Sequence, residues 1–511
     1  MSLRLSFALL GLLPLAAAAL GAAPAGQGSP GQPAAGRPAV RGGAGTGAGA
    51  AGTSRNAGNT GNTGVPAAAA GDAFPYPVSE TTLANGLKVV AIPYDSPGTL
   101  AYLTLVRTGS RDEVEAGHSG FAHFFEHMMF RGTEKYSQER YNDVLKGMGA
   151  DFNAFTTDDF TLYHVVGPSS QLATIADMEA DRFQNLKYSE DAFRTEALAI
   201  LGEYNKNASS PFLPLEEKLR DLAFTTHTYR HTTIGFLADV RAMPGYYEYS
   251  RQFFDRFYRP DNCVVVVVGD VQPRQVFDAV ERHYGGWKKG YRPAAIAAEP
   301  PQHEARSGHV DWPTPIQPML YAGWHVRAFS DRTVDSATLD VIAELLFAES
   351  APLYQDLVVD KQWVDLLQGG ADSRRDPYLF TVIARVKSAD LVPKVRQAIE
   401  SAFAGLQTQP VDARRLERIA LHLRNGFALR LSTPQQVATV VSSFLALTGD
   451  VQSINRAQAE YPRVTPGDVQ RLARAVFQPL NQTTLTLTGP QAPPPAGAGK
   501  PHGGAHHADR R

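Results

Sequence analysis

The order of predicted helices and strands repeats once along this chain. The first copy runs strand, helix, strand, helix, helix, strand, at residues 99–107, 119–130, 160–166, 170–185, 191–207 and 263–268. After an offset of roughly 220 residues the same order returns, at residues 319–326, 336–347, 379–386, 391–406, 413–431 and 483–489. The repeat predicts an α+β fold of two homologous halves, each with a mostly antiparallel sheet and helices packed on one face.

The amino-terminal residues differ from the repeat. After Arg4 an apolar run covers residues 9–20, and the small residues Ala23 and Ala25 then suit a signal peptidase, so we expect a signal peptide at residues 1–25. An uncleaved membrane anchor is the alternative, but the run is shorter than the roughly 20 residues that a span needs. We therefore expect a periplasmic or secreted protein with no integral membrane span in the mature chain.

The other boundaries follow from the Gly, Ala and Pro content. Residues 26–73 contain no Leu, Ile, Phe or Trp, and so little apolar surface predicts a disordered linker. Residues 290–309 are Pro- and Ala-rich, as suits an interdomain linker. The Pro, Gly and Ala content of residues 490–511 predicts a disordered tail. The two folded domains are then expected at residues 74–289 and 310–489.

Charge and cysteine content exclude several classes of protein. The chain has 49 Lys and Arg against 51 Asp and Glu, a formal net charge of -2, so no overall basic field exists to attract nucleic acid. One cysteine in 511 residues excludes an intramolecular disulfide framework and a zinc site built from several cysteines.

The segment GFAHFFEHM, at residues 120–128, carries the most informative chemical pattern. His123 and His127 are four apart on the predicted helix and project from the same face, where two imidazoles can both reach one Zn²⁺ at about 2.0–2.1 Å. Glu126 shares that face, slightly rotated, and can hold a metal-bound water without being a ligand. The His-x-x-Glu-His order is the inverted form of a metallopeptidase zinc motif.

The alternative is a helix with two hydrogen-bonded histidines and an exposed glutamate. The surrounding run is strongly apolar, however, and burying several titratable groups without partners is costly. A shared metal relieves that cost, so we favour zinc.

A catalytic zinc needs a third protein ligand and one open position. Glu203, on the predicted helix 191–207, is the candidate. Glu196 lies two turns earlier on the same face, from where it could hydrogen-bond a ligand imidazole.

Several further stretches make the sequence similar to the pitrilysin/insulinase family of zinc metallopeptidases, the inverzincins. The similarity covers nearly all of residues 82–489 and is greatest to the short two-domain type, such as mitochondrial processing peptidase and bacterial periplasmic relatives. The matching stretches are LANGL at 83–87, GSRDE at 109–113, GFAHFFEHMMFRGT at 120–133, GADFNA at 149–154 and RPDN at 259–262.

The resemblance implies a role for each candidate residue. It implies that His123, His127 and Glu203 bind one Zn²⁺ per chain, that Glu126 is the general base and that Glu196 supports the site. The implied activity is a zinc metalloendopeptidase, which hydrolyses peptide bonds with a zinc-activated water.

The stretch around Asn153 and Ala154 looks like an exposed edge strand near the site, to which an extended peptide could add as a further strand. The resemblance supports substrate binding by these two residues. The alternative is an ordinary turn and strand with Asn at the bend.

One departure from the family concerns the second half. Many members carry an Arg and, seven residues later, a Tyr that are expected to contact the substrate, but our alignment places Val358 and Asp365 there. We therefore expect this chain to be the catalytic subunit of a heterodimer whose homologous partner carries the Arg/Tyr pair, with a homodimer as the alternative.

Two other functions remain open at this point. One is a non-catalytic structural subunit that retains the fold, against which the intact motif argues. The other is a dedicated processing peptidase for one peptide, which the sequence does not separate from general peptide degradation.

Overall fold

The computed structural model of the chain describes residues 72–490. The predicted signal peptide, nearly all of the first predicted linker and nearly all of the predicted tail lie outside the described residues. Two sheets and their helices make up the described part.

The first half forms a six-stranded sheet around a valine strand. Its strands are β1 (Ser79–Thr82), β2 (Lys88–Pro93), β3 (Thr99–Val106), β4 (Asp151–Thr156), β5 (Thr161–Pro168) and β6 (Cys263–Gly269). They lie in the order β1-β2-β6-β3-β5-β4, and within this sheet only β2 and β6 run parallel. Every residue of β6 is buried, as expected for a continuous valine run that is covered on both faces.

The helices of the first half share a core with one face of this sheet. They are α1 (Phe121–Met128), α2 (Gln138–Gly147), α3 (Leu172–Asn185), α4 (Glu190–Ala208), α5 (Phe212–Ala223), α6 (Leu237–Ala242), α7 (Tyr247–Phe257) and α8 (Pro273–Tyr284). Among these, α5 differs, because its apolar side chains pack elsewhere.

The second half repeats the plan with five strands. They are β7 (Arg306–Asp311), β8 (Met319–Val326), β9 (Val364–Ala371), β10 (Tyr378–Val386) and β11 (Gln482–Thr488), in the order β7-β11-β8-β10-β9. The pair β7 and β11 is parallel and the others are antiparallel. Strand β7 begins inside the stretch expected to be a linker, so that stretch is shorter than the composition suggests.

The helices of the second half complete the described chain. They are α9 (Asp335–Phe347), α10 (Pro352–Tyr354), which continues as a π-helix over Gln355–Asp360, α11 (Val392–Thr408), α12 (Ala413–Leu429), α13 (Pro434–Thr448), α14 (Ser453–Glu460) and α15 (Pro466–Val476). The two mostly antiparallel sheets with their helices confirm the predicted α+β fold of two halves.

The second face of each sheet is covered by a helix from the other half. Helix α13 lies across β3 and β6 of the first sheet, where Phe444 shares a core with Leu103 and Val266. In return, α5 lies against the second sheet, where Leu219 packs with Leu485. Each half therefore supplies part of the apolar core of the other.

No single helix in residues 72–490 has both the length and the hydropathy of a membrane span, although the bent pair Pro434–Thr448 and Ser453–Arg463 reaches those values together.

Truncating Phe444, which is 2% exposed, should lower the free energy of unfolding by about 3–5 kcal/mol, because a large ring is removed from the contact between the halves. Urea denaturation of Phe444→Ala would measure this loss. Leu421→Ala, at a position of α12 that is 60% exposed, is the control and should change stability by less than about 0.5 kcal/mol. Equal losses in the two variants would contradict the packing role of α13.

Candidate metal centre

A buried carboxylate fixes the start of α1, the helix that carries the His-x-x-Glu-His motif. Glu113, in the loop after β3, accepts hydrogen bonds from the backbone N–H groups of Gly120 (2.7 Å) and Ala122 (2.7 Å). Burial raises the pKa of Glu113 well above its usual value, although these backbone donors oppose the rise. Gly120 has a φ of 95°, which favours glycine, and a Cβ there would lie 2.6 Å from the carbonyl oxygen of Ile234. The helix that presents the motif is thus placed by contacts outside the motif.

Three side chains from α1 and α4 converge on one point. Nε2 of His123 lies 3.6 Å and Nε2 of His127 lies 3.4 Å from Oε2 of Glu203, and the three ligand atoms all lie within 4.8 Å of one another. A tetrahedral zinc ion bound at about 2.0–2.1 Å separates its ligand atoms by about 3.3–3.4 Å. Both distances also exceed the usual limit of about 3.2 Å for an N–H···O hydrogen bond. The spacing therefore fits a shared metal ion better than direct hydrogen bonding.

The carboxylates around this point favour positive charge. Burial acts to lower the pKa of His127, but contacts with Glu196 and Glu203 raise it to about 10. Burial acts to raise the pKa of Glu203, but His127 and His123 lower it to about 2. Carboxylates that stabilise positive charge at this point also suit a divalent cation.

Glu196 orients the second imidazole. Its Oε1 lies 2.9 Å from Nδ1 of His127, and its Oε2 accepts hydrogen bonds from the guanidinium of Arg131. Burial acts to raise the pKa of Glu196, but His127 and Arg131 hold it below its usual value. An ionised acceptor at Nδ1 leaves Nε2 free to bind a metal.

Glu126 lies beside the three converging residues without joining their group. Its charge acts on both imidazoles, and its side chain is partly exposed. Its Oε2 accepts a hydrogen bond from the hydroxyl of Thr156, the last residue of β4, at 2.7 Å. One carboxylate oxygen of Glu126 thus has a hydrogen-bond donor on β4, and the side chain remains partly exposed to solvent.

The strand that ends at Thr156 is the outermost strand of the first sheet. Asn153 is exposed and Ala154 is buried, and Oδ1 of Asn153 accepts a hydrogen bond from the N–H of Ala154 at 2.9 Å. Among the described residues, the backbone edge of β4 that faces away from β5 pairs with no other strand of the sheet.

Three residues of this arrangement are absent from the sequence-based expectations: Glu113, Arg131 and Thr156. Arg131 is four residues after His127, a spacing that would place the two side chains on one face of a longer helix. Because α1 ends at Met128, this spacing does not explain the position of Arg131. Thr156 shares the strand face of Ala154, a usable signal once the motif helix is known to lie against that face. Glu113 ends the family-matching stretch GSRDE, but nothing in that stretch indicates a contact with the start of α1.

The second half has no matching group among residues 72–490, in which His123, His127 and Glu203 form the one cluster of metal-ligating side chains. Val358 lies in the π-helical segment. Asp365, on β9, accepts hydrogen bonds from Arg385 (2.6 Å) and Lys387 (2.9 Å). The positions aligned with the Arg/Tyr pair therefore hold an apolar side chain and a paired carboxylate.

Two family models match the chain. Residues 89–235 match the model described as Insulinase (Peptidase family M16), and residues 247–423 match the model described as Peptidase M16 inactive domain. Together these segments span most of the first half and part of the second, and the metal-centre residues all fall in the segment 89–235.

Two individual relatives and one solved structure are similar to this chain over most of its length. Zinc protease PqqE of Helicobacter pylori is 26% identical over 423 residues, which cover 80% of this chain and 91% of that protein. The probable mitochondrial-processing peptidase subunit beta of Schizosaccharomyces pombe is 26% identical over 408 residues, 77% of this chain and 87% of that protein. The crystal structure of a protease from Helicobacter pylori aligns with a TM-score of 0.76 at 26% identity, covering 81% of this chain and 99% of that chain.

Glu196→Ala should weaken Zn²⁺ binding by about 10–100-fold, because His127 loses the acceptor for Nδ1 and Arg131 loses its ion pair. Competition titration with a zinc-chelating dye would measure the affinity. Glu190→Ala on the same helix is the control, since Glu190 is exposed and pairs with Arg194, and it should leave the affinity unchanged. Equal affinities in the two variants would remove Glu196 from the metal centre.

Proposed function

Because this chain belongs to the insulinase family of peptidases (family M16), in its short two-domain form, we propose that it is an exported zinc-dependent peptidase that hydrolyses extended peptides. The proposed ligands of one Zn²⁺ per chain are His123, His127 and Glu203. Glu126 is the proposed general base. A relative named as a zinc protease supports the metallopeptidase class.

One observation carries this proposal. Two imidazoles and one carboxylate meet at metal-ligand spacing, and Glu126 lies beside them outside the ligand group. Structural zinc sites have four protein ligands, whereas catalytic sites have three and keep one position open. Three ligands with an adjacent carboxylate are therefore what a hydrolytic zinc site requires.

The chain's own residues divide the chemistry between them. Zinc, when bound, lowers the pKa of water from about 15.7 to about 7 and polarises a peptide carbonyl. Glu126, oriented by Thr156, takes a proton from the attacking water and passes it to the leaving amine. Glu196 keeps the His127 ring turned with Nε2 toward the ligand point. Since Glu196 and Glu203 are committed to other partners, Glu126 is the carboxylate that remains to transfer the proton.

The proposed substrate is an extended peptide bound along β4. Backbone pairing at the outer edge of this strand, at Asn153 and Ala154, would place the peptide next to Glu126, because the same strand ends at Thr156. Such pairing provides affinity with little demand on the side chains of the peptide.

The proposed assembly is a heterodimer in which this chain is the catalytic subunit. Val358 and Asp365 stand where the expected Arg/Tyr pair would be, and a relative is named as one subunit of a processing peptidase. A homologous partner that carries the pair would complete the site. Export to the periplasm or the medium is proposed from the leader-like sequence at residues 1–25.

Glu126→Gln should keep zinc and lose turnover by about 10²–10⁴-fold, because the amide has the shape of the carboxylate but does not accept a proton. Zinc content by atomic emission and cleavage of a quenched fluorescent peptide would measure the two properties. Glu134→Gln is the matched control, since its carboxylate is exposed and pairs with Lys187 on the surface. Near-normal turnover of the Glu126 variant would rule out its role as the base.

The purified chain should cleave peptides much more slowly alone than together with a homologous partner that carries an Arg and, seven residues later, a Tyr. The missing side chains are expected to contact the substrate, and the partner supplies them. Zinc quantification and peptide cleavage, with and without the partner, test the assembly. Full activity of the chain alone would contradict the heterodimer and leave the peptidase proposal intact.

A further inference from the structure

Buried charged side chains join the two halves next to the candidate site. We name this cluster the inter-half clamp, and it consists of Asp158 and Asp159 in the turn after β4, Arg220 on α5, Tyr229, and Arg374 in the turn between β9 and β10. All five side chains are buried. The clamp joins a turn of the first sheet to a turn of the second.

Asp158 is the centre of the clamp. Its Oδ1 accepts hydrogen bonds from Arg220 (2.8 Å) and from the hydroxyl of Ser110 (2.9 Å), and its Oδ2 accepts one from Nε of Arg374 (3.0 Å). Burial acts to raise the pKa of Asp158, but Arg220 and Arg374 hold it well below its usual range. The carboxylate is therefore a fixed negative charge between one arginine from each half.

Asp159 provides a second connection, through backbone groups. The hydroxyl of Tyr229 donates to its Oδ1 (2.6 Å), and the backbone N–H of Arg375 donates to its Oδ2 (2.9 Å). The backbone N–H of Asp376 in turn donates to the Tyr229 hydroxyl oxygen (3.3 Å). These contacts fix the backbone of the second-half turn, and not only its side chains, against the first half.

The clamped turn continues directly from the end of β4 that holds Glu126. The backbone N–H of Thr157 donates to the carbonyl oxygen of Phe160 (2.8 Å), and Oγ1 of Thr157 accepts from the N–H groups of Asp159 (3.2 Å) and Phe160 (3.1 Å). Because these bonds close the turn on itself, a shift of the turn moves Thr157 as well. Thr156, the neighbour of Thr157, donates a hydrogen bond to Glu126. A shift of Thr157 therefore moves the donor that contacts Glu126.

Stability does not explain why a chain would bury such a cluster. Buried ion pairs rarely contribute more stability than apolar side chains of similar volume, and the halves already share apolar cores under α13 and α5. What a set of hydrogen-bonded ion pairs adds is a fixed position of one half relative to the other. We propose that Asp158 and Arg374 are positioning residues, through which the second half holds the Glu126 carboxylate in place for proton transfer. This inference rests on the proposed peptidase function.

The proposal predicts different effects of the clamp on turnover and on metal binding. The proposed zinc ligands lie on α1 and α4, whereas the clamp acts on the turn after β4. Loss of the clamp should therefore leave the zinc content unchanged and lower kcat more than it raises KM. Ångström-scale displacement of a catalytic group costs up to about 10²-fold in rate.

Arg374→Gln keeps a polar side chain but removes the charge opposite Asp158, and we expect kcat to fall roughly tenfold or more. Arg374→Lys restores the charge and should recover part of the loss. Arg396→Gln is the matched control, because Arg396 pairs with Glu400 on the exposed face of α11, and it should leave kcat and KM unchanged. The measurements use the form of the full chain, alone or with its partner, that cleaves peptides.

Tyr229→Phe is a second and milder variant, which keeps the ring and deletes the hydroxyl that links Asp159 to Asp376. It should also lower kcat at unchanged zinc content, and it decides the question if Arg374→Gln does not fold. A lower melting temperature with unchanged kcat in a folded variant would show a purely structural role and overturn the proposal.

A double-mutant cycle tests the route of the effect. Thr156→Val removes the hydrogen bond to Glu126, so in that background Arg374→Gln should lower kcat by less than about a further twofold. Losses that multiply would mean that the clamp does not act through Thr156 and would overturn the proposal. A wild-type protein that binds zinc stoichiometrically and cleaves no peptide would contradict the peptidase proposal itself, and with it the positioning role, before any substitution is made.

Discussion

Each sheet needs a helix from the other half to cover its second face, and this constraint governs the rest of the structure. The first sheet has β6 at its centre, a strand buried on both faces, yet the helices of the first half that share its core cover one face. Helix α13 supplies the second cover, and α5 does the same for the other sheet. The halves are therefore parts of one folded unit, and their association places the turn between β9 and β10 against the turn that follows β4.

Four glutamates of the first half have the same side chain but different hydrogen-bonding and charged partners, and they therefore have different roles. Glu113 accepts two backbone N–H groups and so fixes a helix start. Glu196 lies between an imidazole and a guanidinium and orients the ring. Glu203 lies close to the Nε2 atoms of His123 and His127. Glu126, in contrast, accepts a hydrogen bond from one hydroxyl and is partly exposed to solvent. Environment, rather than residue type, separates the proposed metal ligand from the proposed base.

Much of the fold and the residues of the candidate site could be predicted from local patterns. Valine runs, helical periodicity and the repeated order of elements predicted six elements in each half, but not β7, β9 or the helices α5 to α8 and α13 to α15. The i, i+4 spacing placed His123 and His127 on one face of α1. The exchange of α5 and α13 could not be predicted, because an amphipathic helix does not specify which sheet it covers. The contacts of Arg131 and Thr156 were missed for a related reason: each depends on where one element ends against another, at Met128 and at the last residue of β4.

The second half keeps the architecture without a second group of metal-ligating side chains among the described residues, and the contribution to catalysis that we propose for it is an indirect one. At the positions aligned with the expected Arg/Tyr pair, Val358 has no polar group to offer and Asp365 is neutralised by Arg385 and Lys387. What the half does present to the first sheet is a turn whose side chains and backbone groups bind two consecutive aspartates. Those aspartates follow Thr156 by two and three residues, in a turn that hydrogen bonds to the Thr157 hydroxyl close on itself. The direct substrate contacts proposed for a partner and the indirect positioning proposed for the chain's own second half would therefore be complementary contributions to one site.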